Sequence, residues 1–329
     1  MQAEAREVLC LRPEADFTRV AALPPASLTV DYRKPDDPQL QFLVARAQAL
    51  VIPAVGGKLA PQLFEGSRLR LVQVTGAGVD RLDEAALKRL GIPVANVPGG
   101  SNAALAEYAV AAASLLLRRL AWADAEIKRG NYAAFRARML ADNLAGIEAA
   151  TVGMVGLGVI GVAVAQAFHG AGCRLCYCDP APRDANAVAA LGARAVTLDA
   201  LLRESDVVSL HVPLLPSTKG LIGERELAAM KAGAVLIQAS RGGIVDEAAL
   251  AAQLRSGHLG GAAVDVYSSE PPAPDHPLLG LEGDAAHRLL LTPHIAGVTR
   301  QSAALLFRSA WANVERVLVE GAAPLNRVY

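Results

Sequence analysis

A chain of 329 residues has room for about two domains of roughly 150 residues each, with cores of their own, which excludes a small single-module binding protein. Its 32 Lys and Arg balance 32 Asp and Glu, so it presents no net positive field, and nucleic acid and an acidic membrane surface are not expected partners. The uncharged stretch between Glu148 and Arg174 is long enough on paper to span a membrane, but six glycines interrupt it and its pattern changes midway, so it reads as strand, loop and helix.

The N-terminal "MQAEAREVLCL" carries charges among its first seven residues and an apolar run of only four, unlike a secretory signal, and a cytoplasmic location is expected. Five short apolar runs follow in the first half: 7–11, 28–32, 49–55, 69–76 and 92–99. Segments such as "DPQLQFLVARAQ" and "DEAALKRLG" lie between some of them, with helical spacing and an acidic start suited to the helix dipole. Strand followed by helix, repeated, predicts a parallel sheet covered on both faces. An Ala- and Leu-rich stretch over 101–130, opened by the capping candidates Ser101 and Asn102, predicts one long helix crossing between domains.

The second half holds seven further strand candidates, at 151–156, 174–179, 193–197, 207–213, 234–240, 261–266 and 288–294. Helical segments separate several of them, which predicts a doubly wound nucleotide-binding domain. One more amphipathic helix, "TRQSAALLFRSAWANVERVLVEG", comes last and has no strand partner in that half. Cys173, Cys176 and Cys178 fall in the strand candidate "CRLCYCD" with no second Cys/His pair at zinc spacing, so they read as small buried apolar residues and no metal is expected.

The run "GMVGLGVIG" at 153–161 places Gly156, Gly158 and Gly161 at G-x-G-x-x-G spacing, after a strand candidate and before a helical segment. There the first glycine permits a tight turn, the second lets backbone approach a pyrophosphate, and the third lets the helix pack close to the strand. Asp179 ends the next strand candidate, 18 residues beyond Gly161, where a carboxylate accepts from a ribose hydroxyl and repels a 2′-phosphate; NADH is therefore expected over NADPH. Arg183, four residues on, softens that preference. The sequence "GGK" at 56–58 lacks the spacing of a P-loop.

Ligands of open parallel sheets bind beyond the carboxyl ends of the strands, and four polar residues of the second half fall there: Arg241, Asp265, Glu270 and His294. Reduction of a ketone by hydride leaves negative charge on oxygen, so a donor that titrates near neutrality is needed, and His294 is the candidate acid and base. Glu270 would orient its ring and favour the imidazolium, and Arg241 would hold a substrate carboxylate in its planar fork. His211 also ends a strand but lacks an acidic neighbour in sequence; His169, His258, His276 and His287 read as surface or packing residues.

The ordered set "GLGVIG", "HVPLLPSTKGLI", "SRGGIVDEAAL", "GAAVDVYSSEPP" and "LTPHIAG", with "VTGAGVDRLDEAALKRLGIPVANVPGGSNAALAEYAV" in the first half, resembles the D-isomer-specific 2-hydroxy acid dehydrogenases over roughly 45–320. The resemblance implies an α/β chain of two doubly wound parallel-sheet domains. A Rossmann-type NAD-binding domain (119–297) would be inserted into a flavodoxin-like substrate domain (1–118 with 298–329). It places the catalytic trio on Arg241, Glu270 and His294. It places cofactor contacts on Val159, Ile160, Asp179, Val212, Pro213, Thr218, Ala239, Arg241 and Asp265 beside the three glycines. Backbone at Gly76, Ala77 and Gly78 is assigned to the substrate carboxylate, and the molecule is expected to be a homodimer.

Four positions depart from the family pattern: Val159 stands where Arg is frequent, Gln238 and Ala239 replace Asn and Thr, and Tyr108 replaces a common His. The run "VIPAVGGK" also lacks the Arg-Ser loop of phosphoglycerate enzymes. The function expected is NAD(H)-dependent interconversion of a small 2-keto acid and its D-2-hydroxy acid. The alternative is a nucleotide-sensing binding protein of the corepressor kind on the same fold, and formate oxidation is disfavoured because it uses Gln where this chain has Glu270.

Overall fold

Apolar runs whose two alternating faces are both buried make the strands of a covered parallel sheet. All twelve runs contain a strand in the computed structural model, which describes residues 7–329. The chain divides into two compact units, one formed by residues up to Ser101 together with Val298–Tyr329, the other by Asn102–Gly297. Among the described residues no helix is long and apolar enough to cross a membrane.

The first unit is built on β1 (Glu7–Cys10), β2 (Thr29–Tyr32), β3 (Ala49–Ile52), β4 (Leu71–Val74) and β5 (Val94–Ala95). They pair in parallel in the order β2-β1-β3-β4-β5, the flavodoxin-like arrangement. Alternation along β1 sorts its side chains: Val8 and Cys10 face Phe17, Phe307 and Trp311, while Leu9 joins Val44, Phe64 and Leu87 on the other face. The last helix, Arg300–Leu318, covers the first of these faces with Phe307, Trp311, Val314 and Val317, which gives the partnerless segment its place. Its buried Asn313 donates to Gln73 Oε1 (2.6 Å) on β4 and accepts from Leu325 N (2.7 Å), so the polar pair inside this core is satisfied.

The second unit is built on β6 (Thr151–Val155), β7 (Arg174–Cys178), β8 (Arg194–Ala195), β9 (Val207–Leu210), β10 (Val235–Gln238), β11 (Gly261–Val264) and β12 (Leu289–Leu291). The order β12-β11-β10-β9-β6-β7-β8 is parallel throughout and reverses direction between β6 and β9, as in a Rossmann fold with one added strand. Cys173 and Cys176 are buried in its core and Cys178 packs at the edge of it.

Local signals recur with the same outcome. The pentapeptide "DEAAL" occurs twice, and both times its Asp caps a helix: Asp83 accepts from Ala86 N, and Asp246 from Ala248 N and Ala249 N. Each of those helices ends on a left-handed glycine, Gly91 or Gly257.

Two expectations change. The stretch 101–130 is not one helix but two, Asn102–Leu117 and Leu120–Lys128, broken at Arg119, whose φ is +50°. The break turns Trp122 inward, where it stacks on His287 (5.1 Å between centroids, 9° between planes), lies under Arg138 (4.4 Å) and touches Phe135 of the helix Tyr132–Ala141. The helix Asn102–Leu117 also falls in the second unit, although the expected boundary lies after residue 118. Its small side chains Ala109, Ala112 and Ala113 let it pack in the core of that unit with Val164, Ala165 and Phe168 of the helix Val159–Gly170.

Candidate active site

The glycine loop joins β6 to the helix Val159–Gly170 at the point where the sheet order reverses. Gly156 has φ +90°, and a Cβ there would lie 2.5 Å from the carbonyl oxygen of His211. At Gly161 a Cβ would lie 2.3 Å from the oxygen of Gly156, so the helix sits directly on the turn. Beside Gly158 nothing lies within 4 Å of where a Cβ would be, leaving the helix entrance open. Tight backbone below and open space above fit a dinucleotide pyrophosphate.

Asp179 follows β7, and its side chain is 3% exposed. Its Oδ2 accepts from Leu157 N (2.7 Å), within the glycine loop, and from Arg183 (2.5 Å), while Oδ1 accepts from Ala181 N (2.9 Å). Burial alone would raise this carboxyl, but the hydrogen bonds from Arg183, Leu157 and Ala181 outweigh it and hold the group below the usual carboxylate range. The residue expected to meet a ribose therefore also ties down the loop expected to meet the phosphates.

The other expected cofactor residues are differently placed. Val159 opens the helix with an exposed side chain, followed by half-buried Ile160. Val212 and Pro213 follow β9; Val212 packs under Gly156, where a Cβ on the glycine would lie 2.8 Å from it. Thr218 spends its hydroxyl within its own loop, donating to Pro213 O (2.6 Å) and accepting from Leu215 N (2.7 Å). Ala239 follows β10. His211, which had no acid partner in sequence, bonds through Nε2 to Ser209 Oγ (2.8 Å), and burial pushes its ring down to about 4.

Arg241, Glu270 and His294 follow β10, β11 and β12, three adjacent strands, at their carboxyl ends. Buried Gln238 shapes the first turn: its Nε2 donates to Arg241 O (2.8 Å) and its Oε1 accepts from Ser240 Oγ (2.7 Å). Gly242 then presses this turn against the loop carrying Glu270, since a Cβ at 242 would fall 1.7 Å from Tyr267 O. Glu270 is held by Tyr267 N (3.1 Å) on Oε1 and meets His294 Nδ1 with Oε2 at 2.8 Å. His294 has φ +55°, an uncommon conformation for a residue other than glycine.

Asp265 supports that conformation. It is 1% exposed and accepts from Thr292 Oγ1 (2.6 Å), Ile295 N (2.8 Å) and Ala296 N (2.9 Å), and its own carbonyl accepts from His294 N (2.8 Å). The family resemblance places Asp265 among the cofactor contacts; three of its about four acceptor positions are taken up by the histidine loop. Tyr108 extends the network through Thr292 Oγ1 (2.8 Å), and burial pushes its phenol up to about 12.

Four supporting side chains carried no sequence signal. Glu247 accepts from Ser268 N (2.8 Å), Ser268 Oγ (2.5 Å) and His276 Nε2 (3.0 Å), clasping both ends of the loop that bears Glu270. His276, read as a surface or packing residue, is a buried partner in that clasp, with its ring edge-on to Tyr267. In the first unit, Gly76, Ala77 and Gly78 follow β4; Asn96 donates to Ala77 O (2.6 Å) and Val97 N to Gly76 O (2.9 Å). There buried Arg81 donates to Gly57 O (2.9 Å) and Pro53 O (3.1 Å), fixing the 53–57 loop, and burial lowers its pKa.

Residues 110–296 match the family model described as the NAD-binding domain of D-isomer-specific 2-hydroxyacid dehydrogenases. The chain is 36% identical over 268 residues to a glyoxylate reductase of Aeropyrum pernix, covering 81% of this chain and 78% of the reductase. It is 36% identical over 265 residues to a D-3-phosphoglycerate dehydrogenase of Archaeoglobus fulgidus, which covers 80% of this chain but only 47% of that protein, about half its length. The holo structure of Rhodotorula graminis D-mandelate dehydrogenase superposes with a TM-score of 0.85 at 27% identity, covering 99% of this chain and 98% of the other. Two parallel sheets in these strand orders, the glycine loop on the second and sequence identity across four-fifths of the chain converge on one assignment: the protein belongs to the D-isomer-specific 2-hydroxyacid dehydrogenase family.

Proposed function

We propose that the chain interconverts a small 2-keto acid and its D-2-hydroxy acid using NAD(H), with His294 as acid and base. The contact of 2.8 Å between His294 Nδ1 and Glu270 Oε2, at the strand ends that also present Arg241, carries this reading. Bound nicotinamide supplies or accepts the hydride at the substrate carbon. His294, with Nδ1 turned to Glu270, has Nε2 left to give a proton to the carbonyl oxygen as charge develops there, and to take it back in the reverse direction. Glu270 fixes the ring through Nδ1, and Tyr267 N fixes Glu270 in turn. Arg241 takes the substrate carboxylate through two parallel hydrogen bonds. Backbone amides at Gly76, Ala77 and Gly78 are further candidates for a carboxylate.

The buried carboxylate of Asp179 supports NADH as the preferred cofactor. The molecule works as a homodimer, a reading supported by the apolar side chains Leu120, Ile127, Tyr132 and Leu140 exposed on the paired helices Leu120–Lys128 and Tyr132–Ala141. The test is a panel of glyoxylate, hydroxypyruvate, pyruvate and phenylpyruvate with NADH, read as loss of NADH absorbance. Turnover of at least one is expected, with a D-2-hydroxy acid as product; NADH binding without turnover of any would leave the corepressor-like alternative.

A further inference from the structure

The carboxylate of Asp179 offers about four acceptor positions, and the protein fills three of them. Two are spent on backbone N–H groups of Leu157 and Ala181, which hold the glycine loop and the following turn. The third is taken by Arg183 on Oδ2, so one position on Oδ1 is left for a ribose hydroxyl. A second hydroxyl could be accepted only if Arg183 withdrew.

Arg183 itself is poorly committed. Of its five donors one reaches Asp179, its Nε is buried without a hydrogen-bond partner, and its side chain is 29% exposed. Pro180 and Pro182 stiffen the short segment that carries it, so its guanidinium stays near Asp179. Its positive charge cancels the carboxylate there, and a phosphate arriving at this spot meets a neutral pair with spare donors rather than a bare anion.

We propose that Arg183 is the residue that sets how this protein discriminates between NADH and NADPH. It holds Asp179 when the adenine-side ribose carries a 2′-hydroxyl and turns its donors to the anion when the ribose carries a 2′-phosphate. The chain is then a dual-cofactor member with a mild NADH preference, tighter by less than about tenfold, because one charge-assisted hydrogen bond offsets much of the carboxylate's repulsion. The inference rests on the dinucleotide reading of the site given above.

The experiment measures binding, without substrate, on the full chain. NADH, NADPH, ADP and adenosine 2′,5′-bisphosphate are titrated by calorimetry into the wild type, Arg183→Gln and Arg183→Lys. In Arg183→Gln, NADPH and the bisphosphate are expected to weaken by roughly ten- to a hundredfold, the worth of a charge-assisted bond. NADH and ADP hold or tighten, since Oδ2 of Asp179 is released. Arg183→Lys, which keeps the charge, recovers part of the NADPH affinity. Equal weakening of both cofactors in both variants, or NADPH affinity unchanged in Arg183→Gln while NADH still binds, overturns the proposal and leaves the dinucleotide site standing. Failure of the wild type to bind any of the four ligands removes the site and the proposal together.

Discussion

Asp265 and His294 are joined through the backbone: the carbonyl of Asp265 accepts from His294 N at 2.8 Å, and its carboxylate accepts from the next two amides. Asp265, which the family resemblance places among the cofactor contacts, thus also holds the loop in which the histidine takes its left-handed conformation. Asp265→Ala would leave two backbone N–H groups and the Thr292 hydroxyl without their acceptor. A buried unsatisfied donor costs about 1–3 kcal/mol, and of these three the Ala296 amide is the buried one, so a destabilisation of about 1–3 kcal/mol is expected in urea unfolding, with a fall in kcat. Unchanged stability would mean the loop is held by something else.

His294→Ala should lower kcat by roughly a hundred- to ten-thousandfold, the usual worth of a general acid, while NADH affinity is kept. Glu270→Gln should lower kcat less, because the amide can still contact and orient Nδ1, though as a neutral partner in place of a charged one. Steady-state kinetics beside NADH titration separates the two effects. Wild-type turnover by His294→Ala would take that residue out of the chemistry.

Glu247 clasps Ser268 and His276 at either end of the segment bearing Glu270. Glu247→Ala is expected to reduce kcat by about tenfold with KM little changed, since a misplacement of the orienting carboxylate near 1 Å is enough to slow proton transfer. Glu247→Gln, which retains one acceptor oxygen, should restore part of it. Failure of the conservative variant to restore anything would point to folding rather than positioning.

Acidification should destabilise the protein through His211. Its folded pKa lies below the ordinary 6.5, at about 4, so between those values the unfolded chain binds a proton that the native state does not. Stability is therefore complete above about pH 6.5 and falls as pH drops toward 4, by on the order of 2–3 kcal/mol from this residue. Urea midpoints measured across that window should slope downward toward acid, and His211→Asn should show a shallower slope. An identical slope in the variant would assign the effect to other groups.

Tyr132 and Leu140 are about two-thirds exposed, at 64% and 65%, on a helix of the second unit. Replacing both by Asp should convert the proposed dimer into a monomer in light scattering after gel filtration, with NADH binding retained. A dimer that survives the double substitution would have its interface elsewhere.

Much of this was legible in one dimension. Strand positions could be read because covered parallel strands are apolar on both faces, so burial and sequence pattern coincide. The glycine loop was legible because only glycine tolerates the carbonyl oxygen 2.5 Å from a Cβ at 156, and Asp83 and Asp246 because a cap is satisfied within three residues. Arg241, Glu270 and His294 could be grouped because each follows a strand of one parallel sheet, so that chain order alone sends them to the same edge.

Tertiary packing decided the rest. The helix break at Arg119 depends on the Trp122 ring stacking with His287 and Arg138, which are distant in sequence, and no local propensity encodes it. Which acceptors of Asp179 and Asp265 remain open depends on donors brought by other loops, and the clasp of Glu247 on His276 exists only once a helix N-terminus and a loop 29 residues apart are folded together. A sequence shows which polar groups are present; their partners are set by burial, because a group removed from water must find them wherever the fold has put them.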